Sequence, residues 1–549
     1  MATFTSKTTM STMTEAELFA LKATDLAVMT SSQASSLSQA QIEALSTASV
    51  PGLVMKNFPA TQFDYLADTQ LKALSTKQIS ELTTAQAAKF DDGSEIGILS
   101  SAQIGAFKPA TIVKLSASAI SAIDPKAFAG MATGTIAALT TTGVDQVNAI
   151  TEEQAVFLTT AQVKALTAAQ VNALNSATVA AIKPAVLKAI DSADIPSLET
   201  AAITVLTSAH IKELTPDQFG ALTSGTDSQL DALTEDHMVA ISSAQIAKLT
   251  ANDIGEFSAV EIAALPSATF GAIAATAISG VPAAAFANLT SAQVKALSAN
   301  QFGELNASQL GALTVDQAPG IAPDQIKKLV AADFGTGTPG ATSYVGVLAS
   351  DVVAALTPAT LAAITTTAIG LVHSSAFAEF TSAQIKAITP AQFAALGTAQ
   401  LSKLSADQAA GITADQLKKV ADDEADDFTA DFITALKPEA LVGLTTTAIA
   451  DIKTAAIGDL TTAQIKALTP AQFAALTTDS TTGQFHQLTD TQASAVTALQ
   501  MAKVPVAAFS SDGLKLTSDF ISKLSPATFA AIPSGAFAQI PTAVFEALP

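Results

Sequence analysis

One eight-residue phrase repeats through almost the whole chain. Its clearest copies run Leu460-Thr-Thr-Ala-Gln-Ile-Lys-Ala, then Leu468-Thr-Pro-Ala-Gln-Phe-Ala-Ala, then Leu476. A period of eight matches neither an unbroken α-helix, at about 3.6 residues per turn, nor a heptad coil, at about 3.5. It matches a string of very short helices, each restarted by its own cap. In the copy that begins at Leu468, Thr469 is the N-cap and Gln472 stands three residues on, which is the capping-box spacing. Pro470 takes the first helical position, where its missing N–H is harmless. Leu468 and Phe473 form the hydrophobic staple across the cap, and Leu476 closes the unit before the next one starts. Proline recurs at the same place as Pro109, Pro125, Pro216, Pro358, Pro390 and Pro438.

A helix of about two turns does not stand alone, because nucleation is too unfavourable. Each octad must bury its Leu and its Ile, Val or Phe against other octads. The predicted fold is therefore all-α: a superhelical solenoid of short capped helices, one per octad. A β-solenoid or leucine-rich-repeat-like coil is the alternative, suggested by the even period and by Ile532-Pro-Ser-Gly-Ala-Phe-Ala-Gln-Ile540. Abundant alanine, caps in register and the lack of a Leu-x-Leu-x-x-Asn signature favour helices.

A second period lies above the first. The residue in the Gln position of each octad, called the slot below, is Gln293, Gln301, Gln309, Gln317 and Gln325. Asp333, Val352, Thr360, Ala368 and Ala376 follow. Gln384 to Gln416 and then Glu424, Phe432, Ala440, Ala448 and Ala456 repeat the alternation, so ten octads, or 80 residues, make a higher repeat. Such counting suits a superhelix that closes a whole number of turns in ten octads. It predicts two walls: an apolar one packing between turns or molecules, and a Gln one that is more solvated or forms side-chain amide ladders.

The domain reading is a polar N-terminal arm over residues 1–13 and one continuous array over 14–548. Loop insertions fall near 223–228, 335–347, 477–483 and 510–515, in phase with the longer repeat. The longest contains Tyr344, a candidate contact residue.

Composition narrows the function. The 549 residues carry a net charge of −21, with no cysteine and no tryptophan, and every basic residue is lysine. That argues against nucleic acid and anionic membrane surfaces as partners. No apolar run is long enough to insert in a membrane. The first residues carry no cleavable secretory signal.

No nucleophile elbow, phosphate loop or His-Glu-x-x-His motif is present, so no catalytic residue and no cofactor site is assigned. His210 and His237 occupy slots and read as polar cap residues. The acidic run Asp422, Asp423, Glu424, Asp426 and Asp427 offers the oxygen ligands that calcium takes, and reads first as a solvated bend. Thr-Thr-Thr at 140–142, 365–367 and 445–447 is explained by capping.

The phrase Leu-Thr-x-Ala-Gln-Ile/Val/Phe-x-Ala-Leu and the acidic, cysteine-free, Ala/Thr-rich composition resemble large repetitive surface and extracellular proteins of bacteria. The resemblance implies export without a cleaved signal and a role as surface layer, filament, sheath or adhesin. It departs from the calcium-loaded members in lacking glycine-rich nonapeptides. A structural, self-assembling protein of the cell surface or exterior, partnered chiefly by itself, is the expected function. An adhesin or binding scaffold for a cell-surface polysaccharide or another surface protein is the alternative, and an enzyme is not expected.

Overall fold

The computed structural model describes residues 5, 7–90, 93–336, 347–479, 482–509, 518–540 and 542–546. Helices there are α-helices of four to six residues or 3-10 turns, with no β-strand among the described residues. The helical reading therefore stands and the β-solenoid alternative falls. The helices are shorter than the two turns expected. Pro470–Ala474, for example, ends at a C-cap on Ala475, leaving Leu476 outside. Such brevity follows from the cap geometry. The residue before most helices is extended, as at Thr469 (φ −64°, ψ 155°), so the chain turns sharply from octad to octad.

Proline sits at the first helical position at Pro109, Pro125, Pro216, Pro358, Pro390, Pro438 and Pro470, as the spacing predicts. Both members of most staples are buried, for example Leu468 with Phe473 and Ile123 with Phe128. The segment Ile532–Ile540, with its leucine-rich-repeat look, forms the 3-10 helix Ser534–Gln539.

The chain divides into two compact units, Met1–Gly280 and Val281–Pro549. Sequence alone does not show this division, because the octads run through it without a break. Within the first unit, the helix Glu152–Ala155 packs on Ser176–Ala181, three octads later. In the second, Ala406–Ala409 packs in the same way on Ala430–Ala435. Hydrogen bonds reach a different neighbour, four octads back. Within each unit, one turn of the coil therefore falls between three and four octads. A ten-octad period comes back into phase after about three turns of such a coil.

The three-octad contact is close enough to select glycine. A Cβ on Gly411 would lie 2.0 Å from the carbonyl oxygen of Ser382, and one on Gly320 would lie 2.2 Å from that of Ser291. Both are backbone contacts that no side-chain movement relieves.

Of residues 1–13, read as an arm, the described ones, 5 and 7–13, are tied into the first unit. Gln33 Nε2 donates to the Thr5 and Thr8 carbonyls, Gln41 Nε2 donates to that of Met13, and Met10 is buried.

Candidate functional site

The feature that organises both units is a seam of slot side chains between successive turns. Gln416 shows the full set of bonds. Its Oε1 accepts from the Thr413 N–H (2.8 Å) and the Thr413 hydroxyl (3.0 Å), and the Gln416 N–H in turn donates to that hydroxyl (3.3 Å). This is the capping box read from the sequence. The other end of the amide does something the sequence reading missed. Nε2 donates to the carbonyls of Ile385 (2.8 Å) and Ile388 (2.7 Å), 31 and 28 residues earlier. Those carbonyls lie at the end of a helix four octads back, where helical partners run out. One side chain thus caps the start of its own helix and the end of another.

The same bonds recur along the chain. In the first unit, Gln78 reaches Val50 and Leu53, and Gln154 reaches Ile120 and Ile123. In the second, Gln408 reaches Phe377 and Phe380, and Gln464 reaches Ile433 and Leu436. Gln472 of the reference octad reaches Leu444 at 2.7 Å. Threonine makes a single-bonded version: Thr178 and Thr269 donate to the Ile150 and Ile241 carbonyls, and Thr360 to that of Ile321.

This overturns the expected solvated Gln wall and its amide ladders. Gln309 and Gln154 are 0 % exposed, and the amides bond to backbone rather than to one another. The physical reason is the two-ended chemistry of the amide. Acceptor and donor together satisfy three backbone groups, which lets a polar side chain be buried without penalty. Ala368, Ala376, Ala440, Ala448 and Ala456 are buried as well, so both blocks face inward. A signal for the seam was present in the sequence. A carboxylate serves a capping box as well as an amide does, yet this acidic chain keeps Gln in block after block. Only the second bond requires a donor.

Insertions leave the seam intact. Thr223 N–H meets Gln229 Oε1 six residues on instead of three, and Gln229 still bridges to Ile195 and Leu198. Gly225 and Asp227 take positive φ in the extra loop. Gln484 likewise bridges to Ile449 and Ile452 past the insertion at 477–483. Tyr344 and most of the 335–347 and 510–515 insertions lie outside the described residues.

His210 and His237 are slot residues and do cap, as expected. Each also bridges: His210 Nε2 to the Ile182 carbonyl (2.8 Å) and His237 Nε2 to that of Leu206 (2.7 Å). Thr365 and Thr445 are N-caps, so two of the Thr-Thr-Thr runs begin on caps. Thr140 is also held locally, bonding to Val144 and Gln146.

Acidic slots keep only the first bond. Glu17 is exposed and accepts from the Thr14 N–H, which holds its carboxyl below the ordinary value. Glu424 is half-buried, and burial, with the charges of Asp423 and Asp427, raises its carboxyl instead. The run Asp422–Asp427 winds as one 3-10 helix, with Asp422 bonded to the Thr445 hydroxyl. Among the described residues, no three His, Cys, Asp or Glu side chains gather where they would hold a metal ion. No helix among them is long and apolar enough to cross a membrane. A shallow depression of about 780 Å³ lined by Ser11, Met13, Glu15 and Gln41 assembles no catalytic set.

A family model described as the ALTTAQ repeat matches residues 187–224 and 450–478, so the chain is similar to that repeat over two stretches. No curated protein matches the chain. Among solved structures, importin beta is similar at 13% identity, covering 91% of this chain and 67% of that one, with a TM-score of 0.14. A homology model of the full-length AP-3 complex matches at 9% identity over 89% and 84%, with a TM-score of 0.17. The pentatricopeptide repeat protein PPR10, in complex with an 18-nt psaJ RNA element, matches at 10% identity over 84% and 83%, with a TM-score of 0.12.

Proposed function

We propose that this chain is a structural, self-assembling protein of the cell surface or exterior, a subunit of a filament, sheath or layer. The observation that carries the reading is where the polar side chains go. The slot Gln, Thr and His side chains, residue types from which a repetitive chain would build a reactive or binding site, are spent inside the seam, joining turn to turn. What remains outside is a regular acidic surface carrying a net charge of −21. Such a surface suits a scaffold that presents the same face many times.

Absence of cysteine makes the fold independent of redox state and is compatible with any compartment. Homopolymeric contact is the partner chemistry this reading requires, and no cofactor enters it. Sedimentation velocity and negative-stain imaging across a range of protein concentrations, with and without calcium, test it. The expected result is ordered assemblies above a threshold concentration. A monodisperse monomer under all of these conditions overturns the proposal.

A further inference from the structure

We infer that His210 and His237 are acid-opened joints in a seam whose other bridging side chains, glutamine and threonine, do not ionise. The inference stands on the seam alone and holds whether or not the chain assembles.

A glutamine amide has a permanent acceptor at one end and a permanent donor at the other, and it does not ionise. An imidazole has that pattern only when neutral. The Thr207 backbone N–H lies 3.2 Å from His210 Nδ1 and can only donate, so Nδ1 is the unprotonated acceptor. The Ile182 carbonyl, 2.8 Å from Nε2, can only accept, so Nε2 carries the hydrogen. His237 repeats this with the Thr234 N–H at 3.0 Å and the Leu206 carbonyl at 2.7 Å. Both side chains are buried, at 4% and 3% exposure. A second proton on Nδ1 removes the acceptor of the Thr207 or Thr234 N–H and leaves a charge in the interior, with the Thr207 hydroxyl at 2.8 Å and the Thr234 hydroxyl at 3.3 Å left to accept the new N–H.

The groups around these rings do not offset that loss. Lys183 and Lys188 flank the helix Pro184–Leu187, which packs against the His210 helix. Lys212 and Glu213 belong to the His210 helix itself, and Glu213 is paired with Lys188 at 2.8 Å. Glu235 and Asp236 share the His237 helix, Glu261 lies on the helix packed against it, and Glu199 caps the helix whose end supplies the Leu206 carbonyl. Lys183, Lys188, Lys212, Glu199, Glu235 and Asp236 are solvent-exposed. None of the charged groups named here hydrogen-bonds to either ring. The carboxylates soften an added charge but do not replace the Nδ1 acceptor that the Thr207 and Thr234 N–H groups lose.

Hydrogen exchange on the full chain tests this, comparing neutral with mildly acidic buffer after scaling for the intrinsic rate. Peptides spanning residues 200–241 are expected to lose protection in acid by about tenfold relative to peptides spanning the glutamine joints at 384–416. The double variant His210→Gln/His237→Gln restores the residue of the other slots and folds on that ground; it is expected to abolish the acid-specific loss. An equal loss in the variant, or no difference between the two regions of the parent chain, overturns the inference. Single variants separate the joints, each expected to remove the loss at its own turn.

Discussion

Residues 381–420 and 421–460 are each five octads with buried staples, yet they join the turn beneath them by different means. The first set uses Gln384, Gln392, Gln400, Gln408 and Gln416, each hydrogen-bonded to carbonyls about 30 residues earlier. The second has Glu424, Phe432, Ala440, Ala448 and Ala456 in the same slots, the last four buried and without a side-chain donor. Helix formation and turn joining are therefore separate codes in one phrase. Cap, proline and staple make the helix in both sets, and the slot residue decides how it is tied down. Hydrogen bonds need aligned partners and so fix register. Apolar contact fixes only proximity. Alternating the two gives a coil whose register is set by one half and whose density is supplied by the other.

The hardest blow to this comparison is Gln408→Glu. The carboxylate keeps the Ser405 N–H but presents oxygen, with no proton, to the Phe377 and Phe380 carbonyls. An uncompensated buried charge costs about 3–5 kcal/mol. The raised carboxyl pKa this implies means that the folded state holds the proton longer than the unfolded one. The penalty is therefore present above the folded pKa and fades as pH falls through it, which melts at neutral and acidic pH would show. Gln408→Ala writes the residue of the second set into the first and leaves three backbone groups without their partner. A loss of about 2–4 kcal/mol is expected, read as faster exchange over residues 377–408, with Ala448→Ser as the mild counterpart. Gly411→Ala probes the three-octad contact instead. Its Cβ meets the Ser382 carbonyl at 2.0 Å, so a loss of about 1–3 kcal/mol in chemical denaturation is expected. Smallest is Glu424→Gln. Burial and the nearby carboxylates raise the Glu424 carboxyl, so its ionised form works against folding above that raised pKa, and the effect vanishes in acid. The variant should gain slight stability at neutral pH and none at acidic pH, by thermal melts at both.

How much of this was legible follows from distance along the chain. Thr413 and Gln416 are three residues apart, so their cap could be read directly, as could Pro390 and Pro470 at helix starts. The Ile385 carbonyl lies 31 residues from Gln416, and nothing local to either points to the other. The spacing therefore predicts the amide's acceptor end correctly and assigns its donor end to solvent or to an amide ladder instead of a backbone carbonyl. His210 was legible as a cap for the same reason, and its bridge to Ile182 was not. The ten-octad count was visible, but its meaning needed the three- and four-octad neighbours that only the coil supplies.

Joints between octads also determine how such a protein can change in length over time. Gln154 reaches Ile120 across 34 residues and Gln408 reaches Phe377 across 31, because extra residues between joints loop out and leave the pairing undisturbed. The coil registers octads, not amino acids, so small insertions in a turn are neutral to it. Loss of one whole octad is different: the four slots that follow it would each face the carbonyl pair one octad before their usual partner. Gain or loss of 80 residues restores every pairing at once. A gene for this array can therefore lengthen by copying whole blocks with every joint kept.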